Sequence, residues 1–193
     1  RSPDATTSVH LADGFTDDYL LCRQYRECMA LDPLTGETLW TRRDLPPDCE
    51  VFGDREHVFI VGNERAGGTS VLDARDGRVL AENRQTPSRA EWLTAFQGKI
   101  LHWRADRGGR RIALYDPLTQ STLWSKGPFA SNAKWRMFDQ DCIGIVEPKG
   151  RFTLLSLEDG QERVAADIEP EPTLSEIVLF QLGGNYVLVT NGQ

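Results

Sequence analysis

Ala30-Leu31-Asp32-Pro33-Leu34-Thr35-Gly36-Glu37-Thr38-Leu39-Trp40 is the stretch whose reading decides the fold. Asp32 is placed to accept from backbone N–H groups about two residues on, and Pro33 presets φ for a turn. Gly36 supplies a left-handed residue without steric cost. The apolar residues on either side read as two short strands joined by that turn. The arrangement returns three times: Ser70 through Gly77, Ala113 through Gln120 and Thr153 through Gly160 align with Met29 through Gly36. The closing position falls at residues 36, 77, 120 and 160, so successive spacings are 41, 43 and 40. That is the length of one β-propeller blade.

Working outward, each unit has a strand before the turn hairpin: Tyr19-Leu20-Leu21-Cys22, Val58-Phe59-Ile60-Val61, Ile100-Leu101-His102-Trp103 and Cys142 through Val146. A polar connection follows, such as Asn63 through Gly68 or Arg107-Gly108-Gly109-Arg110, which reads as a hairpin. A less regular strand precedes each unit: Ser8 through Leu11, Cys49 through Phe52, Trp92 through Phe96 and Lys134 through Phe138. Ser88 followed by Glu91 is a capping-box pattern that competes for the third of these as a helix start, but the repeat register favours a strand. Glu176 through Phe180 and Tyr186 through Val189 match the first two strands of a fifth unit. The expectation is an all-β chain of four-stranded antiparallel blades forming a single domain, 1–193. Its blades lie at about 7–44, 48–85, 90–127 and 133–168, with a half blade at 175–193, as part of a seven- or eight-bladed ring. Further blades of a parent chain, or a second copy, would complete that ring.

The opening stretch resembles the repeat of the pyrroloquinoline-quinone (PQQ) dehydrogenase propellers, Ala-x-Asp-x-x-x-Gly-Lys-x-x-Trp. Leu114 through Trp124 matches again, departing at Leu114 and Gln120. The second unit keeps Asp73 and Gly77 but has Ala81 at the tryptophan position, and the fourth keeps Gly160 with Val164 there. The resemblance implies blade-docking roles for Trp40 and Trp124, on turns closed by Asp32, Gly36, Asp73, Gly77, Asp116 and Gly160. It does not imply a cofactor. Relatives with this repeat, the propeller lipoprotein of the outer-membrane barrel assembly machinery among them, bind no quinone. The quinone enzymes carry adjacent cysteines and an acidic calcium set, and this chain has no Cys-Cys pair. The resemblance therefore implies a non-catalytic scaffold or interaction propeller without cofactor, working outside the cytoplasm in the periplasm or cell envelope with a protein partner. A fragment of a PQQ-dependent dehydrogenase and a ligand-sensing propeller domain are the alternatives.

Composition narrows the function classes. Hydrophobic residues are 39% and charged residues 26% of the 193, ordinary for a globular chain. No window reaches the roughly 18 unbroken apolar residues of a membrane helix, and Arg1-Ser2-Pro3-Asp4 lacks the apolar core of a signal peptide. A formal net charge of -7 argues against a nucleic-acid backbone as partner, which needs a basic face. Gly-x-Ser-x-Gly and phosphate-loop patterns are absent, so no enzymatic motif rises above background. The local exception to the acidic balance is Arg104-Ala105-Asp106-Arg107-Gly108-Gly109-Arg110-Arg111. Its arginine forks suit carboxylates and phosphates, so Arg104, Arg107, Arg110 and Arg111 are candidates for an anionic partner, against the plainer reading of a solvated loop tip. Cys22 and Cys28 flank a short hairpin. They read either as a cross-strand disulfide or as two small buried hydrophobes. Cys49, Cys142 and three scattered histidines show no zinc-ligand spacing.

Overall fold

The computed structural model describes residues 10–15, 17–63, 68–84, 90–138, 141–183 and 185–192, and these are strand and turn with no helix. Ser8, Val9 and the 64–67 stretch of the second hairpin lie outside them. β1 (His10–Phe15), β2 (Leu20–Gln24), β3 (Glu27–Leu31) and β4 (Thr38–Arg42) form the first blade; β5 (Glu50–Gly53), β6 (His57–Val61), β7 (Thr69–Asp73) and β8 (Val79–Asn83) form the second. One parallel pairing, Asp13 with Phe52, runs the two together as an eight-stranded sheet ordered β4-β3-β2-β1-β5-β6-β7-β8. The third blade is β9 (Ala90–Phe96), β10 (Lys99–Asp106), β11 (Gly109–Asp116) and β12 (Ser121–Phe129). The fourth is β13 (Lys134–Phe138), β14 (Cys142–Glu147), β15 (Arg151–Ser156) and β16 (Glu162–Asp167), and β17 (Leu174–Leu182) pairs with β18 (Asn185–Gly192) alone. These are blades of a β-propeller. Glu91 lies in β9, where hydrogen bonding to β10 satisfies the backbone as strand rather than helix; Ser88 is outside the described residues.

By contacts the chain divides into two compact units, Arg1–His102 with Tyr115–Ser121, and Trp103–Leu114 with Thr122–Gln193. In the first unit, β6 shows why the middle strands read as unbroken apolar runs. Val58 and Ile60 pack into a cluster with Tyr19, Leu21 and Ala30 of the first blade. Phe59 and Val61, on the opposite face, pack with Phe52, Val71, Ile100 and Tyr115. A strand buried on both faces has no use for alternation. Outer strands differ: on β4 only Trp40 is buried. In the second unit, Phe138, Cys142, Val146, Phe152 and Leu154 form a core with Leu174, Ile177 and Leu179 of β17. Burying one such side chain contributes about 1.5–3 kcal/mol.

The two cysteines of the first hairpin do not face each other. The two-residue turn Tyr25-Arg26 pairs Gln24 with Glu27, and the register then sets Arg23 opposite Cys28 and Cys22 opposite Met29. One step of offset sends the two sulfurs to opposite faces of the sheet. Cys22, Cys28, Cys49 and Cys142 are all free and buried. Burial first, then the neighbouring Cys49 and Cys22, push the Cys28 thiol up to about 12, so it packs as a small hydrophobe rather than a nucleophile. Intact mass is therefore expected to be unchanged by reduction. Native iodoacetamide treatment should leave the thiols unlabelled, and unfolding should expose all four; a mass gain on reduction would show a disulfide.

Candidate functional site

The turns that mark the repeat share one hydrogen-bond scheme. Asp32 Oδ1 accepts from the N–H groups of Leu34 and Thr35, both at 2.8 Å. Asp73 Oδ1 accepts from Arg75 N at 2.9 Å. Asp116 Oδ1 accepts from Leu118 N at 2.9 Å and Thr119 N at 3.2 Å. The backbone bonds from Thr35 and Leu34 hold the exposed Asp32 carboxyl below the ordinary carboxylate value. In the fourth blade Ser156 stands in the aspartate's place, and Asp159 instead accepts from Gln161 N at 3.0 Å. The closing residue is left-handed in all four turns: φ is +71° at Gly36, +70° at Gly77, +56° at Gln120 and +69° at Gly160.

The second, third and fourth turns also each present one carbonyl, that of the residue after the aspartate position, to a donor from the preceding blade. Trp40 Nε1 donates to Ala74 O at 2.8 Å and Trp124 Nε1 to Leu157 O at 2.9 Å. The indoles are 8% and 9% exposed and lie against the next turn's glycine. A Cβ built on Gly77 would stand 2.8 Å from Trp40, and one on Gly160 would stand 2.7 Å from Trp124. The second blade has Ala81 at the tryptophan position, and there the donor comes from two residues further on: Asn83 Nδ2 donates to Pro117 O at 2.8 Å. The turn it meets closes with Gln120, not glycine. The two departures from the repeat thus go together. Where no indole lies on the turn, the closing residue is free to carry a side chain.

Sequence reading did not single out Asp54, which joins three blades of the first unit. Its Oδ1 accepts from Glu56 N at 3.0 Å and His57 N at 2.9 Å, closing the β5–β6 turn. Its Oδ2 accepts from Gly98 N of the β9–β10 turn at 2.5 Å, and its carbonyl accepts from the Tyr19 hydroxyl at 2.5 Å. Burial and then the Asp54 charge push the Tyr19 phenol above its usual range. The local turn signal was present at Asp54; its reach to a residue 44 positions away was not.

The arginine cluster lies in the second unit, at the tip of the β10–β11 hairpin. β10 and β11 are eight residues each and β12 nine, against five for each of β2, β3 and β4. Three added residues extend a strand by about 10 Å. Beneath the tip, Trp103 is 1% exposed and stacks on Phe129 with centroids 5.6 Å apart, while Trp135 lies 6.4 Å away. Such a base restricts the hairpin's motion. Asp106 Oδ1 accepts from Arg107 N, and Asp106 Oδ2 accepts from Arg111 Nε, both at 2.8 Å. Arg111 and then the Arg107 N–H hold the Asp106 carboxyl below its ordinary value. Four arginines against one aspartate leave the tip at formal charge 4 − 1 = +3 in a chain of -7. Arg107 is exposed, while Arg104, Arg110 and Arg111 are half-buried. The arginines lie together on one tip, whereas Trp40 lies against the second turn and Trp124 against the fourth, not in a common site.

Adjacent cysteines are lacking, and among the described residues no group of three or more His, Cys, Asp or Glu is placed to hold a metal ion. Among the described residues no helix is long and apolar enough to cross a membrane.

The class defined by this architecture is that of β-propeller repeat proteins. No protein-family model matches the chain, and no curated protein matches it by sequence. Solved structures do. BamB from Moraxella catarrhalis superposes with a TM-score of 0.51 at 16% identity over 93% of this chain and 58% of that one. Hsv2 from Kluyvelomyces marxianus gives 0.58 at 12% identity over 91% and 55%. A europium-containing methanol dehydrogenase gives 0.52 at 13% identity over 96% and 48%. All are β-propellers, and the chain spans between 48% and 58% of their lengths.

Proposed function

We propose that the chain is a non-catalytic β-propeller scaffold that binds a protein partner through Arg104, Arg107, Arg110 and Arg111. The observation that carries this reading is the projecting β10–β11 tip, at formal charge +3 within an acidic chain and set on a packed aromatic base. Guanidinium groups on such a tip form charge-assisted, fork-like bonds to carboxylates, so the partner presents an acidic segment. Trp40, Trp124 and the turn residues Asp32, Gly36, Asp73, Gly77, Asp116 and Gly160 hold the blades in register. The resemblance to the PQQ-type repeat and the likeness to BamB support an extracytoplasmic setting.

The test is binding of a fluorescent glutamate-rich peptide to the chain, with a neutral peptide of equal length as control. The acidic peptide is expected to bind, more weakly as salt rises, and Arg107→Ser with Arg110→Ser is expected to weaken it at least about tenfold, from the loss of two charge-assisted contacts. Equal binding of both peptides, or an unchanged affinity in the double variant, would overturn the assignment.

A further inference from the structure

Asp44 and Asp106 each hold a nearby arginine, by different means. Asp44 gives both oxygens to Arg42: Arg42 Nε donates to Asp44 Oδ1 at 2.9 Å and Arg42 Nη2 to Asp44 Oδ2 at 2.6 Å. Arg42 Nη1 reaches Gly77 O at 3.4 Å, so this guanidinium is engaged at all three nitrogens, in a complete fork. Asp106 divides its oxygens instead. Oδ1 accepts from Arg107 N, and only Oδ2 is left for Arg111, whose Nε donates to it at 2.8 Å. A guanidinium carries five N–H donors in one plane, and Arg111 is held at one of them. Its Nη1 and Nη2 have no partner among the described residues.

The half-made fork has a geometric consequence. With Nε tied to Asp106, the planar group no longer sweeps freely with its side chain. The Nη1–Nη2 edge left over is the pair of donors that meets a carboxylate end-on. The side chains of Arg111 and Asp106 are 28% and 32% exposed, which leaves a ligand access to them. Arg111 first, then the Arg107 N–H, and after them the charge of Arg104 lower the Asp106 carboxyl. The carboxyl therefore stays ionised at neutral pH, and Arg104 lies within electrostatic reach of the same point. A side chain already held loses less entropy when a partner binds it. We infer that Asp106 is a positioning residue for partner recognition, holding Arg111 by Nε alone and so presenting its Nη1–Nη2 edge to a carboxylate of the partner. This rests on the reading of the β10–β11 tip as the docking site of an acidic segment.

Binding of the fluorescent glutamate-rich peptide to single variants of the full chain tests it. Asp106→Asn keeps an oxygen for Arg107 N but offers Arg111 no carboxylate. Charge alone predicts tighter binding, because the tip rises from formal +3 to +4. Positioning predicts the reverse, and the affinity is expected to fall about threefold or more, the effect of immobilising one long side chain. Asp44→Asn removes an equal charge from the complete fork and is expected not to weaken binding. Arg111→Lys keeps its charge without the fork, and in that background Asp106→Asn is expected to cause no further loss. Should Asp106→Asn fail to fold, Asp106→Ser, which also retains an oxygen for the turn, takes its place. Asp106→Asn binding as tightly as the unaltered chain or more tightly would overturn the inference and leave the docking reading standing. The same holds if its loss persists in the Arg111→Lys chain or is matched by Asp44→Asn. An unaltered chain that does not prefer the acidic peptide to the neutral one would overturn the docking reading, and the inference with it.

Discussion

Trp40→Ala is expected to lower stability by about 3–5 kcal/mol, the cost of deleting a large buried aromatic. Three losses combine. The indole, 8% exposed, leaves a void in the first unit's cluster, which also holds Leu45, Val51, Ile60 and Ala74. Ala74 O loses its donor at 2.8 Å, which adds the desolvation cost of an unsatisfied buried acceptor. Gly77 then stands beside empty space in a left-handed turn. Urea denaturation followed by circular dichroism measures the shift. Trp40→Phe separates the terms, since it keeps a ring and removes the N–H, and it is expected to cost less than half as much. A midpoint unchanged in Trp40→Ala would show that the indole does not tie the blades together.

The second large effect is expected at Gly77, with Gly36 as a control inside the same molecule. The two backbones are alike, φ +70° and +71°, so alanine at either bears a left-handed strain of about 1–2 kcal/mol. Around Gly36 a new Cβ meets nothing within 4 Å, whereas at Gly77 it stands 2.8 Å from the Trp40 ring. Gly77→Ala is therefore expected to cost about 1–3 kcal/mol more than Gly36→Ala, the usual range for overpacking. In a Trp40→Ala background the difference should vanish. Equal costs in the unaltered chain would mean the ring moves aside freely. Gln120 already shows that this turn accepts a side chain at φ +56° when no indole lies over it.

The fold was legible because the decisive signals are local and periodic. An aspartate, a proline and a glycine within five residues describe a turn on their own, and recurrence about every 40 residues identifies the blade. The departures were visible but not interpretable. Ala81 and Gln120 could be seen to break the pattern, yet that Asn83 donates to Pro117 O across 34 residues depends on which blade packs on which. The choice between a disulfide and two buried thiols stayed open in the sequence for a related reason: residue separation across a hairpin leaves the register open by one, and the Tyr25-Arg26 turn decides the face.

For the candidate site, the four arginines and their contrast with the acidic chain were in the sequence. Their setting was not, since the aromatic base under the hairpin brings Trp103, Phe129 and Trp135 together from three strands. By itself the sequence determined the blade repeat and its turn chemistry, both properties of a few neighbouring positions. Only tertiary structure decided which carbonyl each donor meets and that Asp54 joins three blades. Those depend on contacts between segments 30 to 45 residues apart, and local sequence carries no measure of that distance.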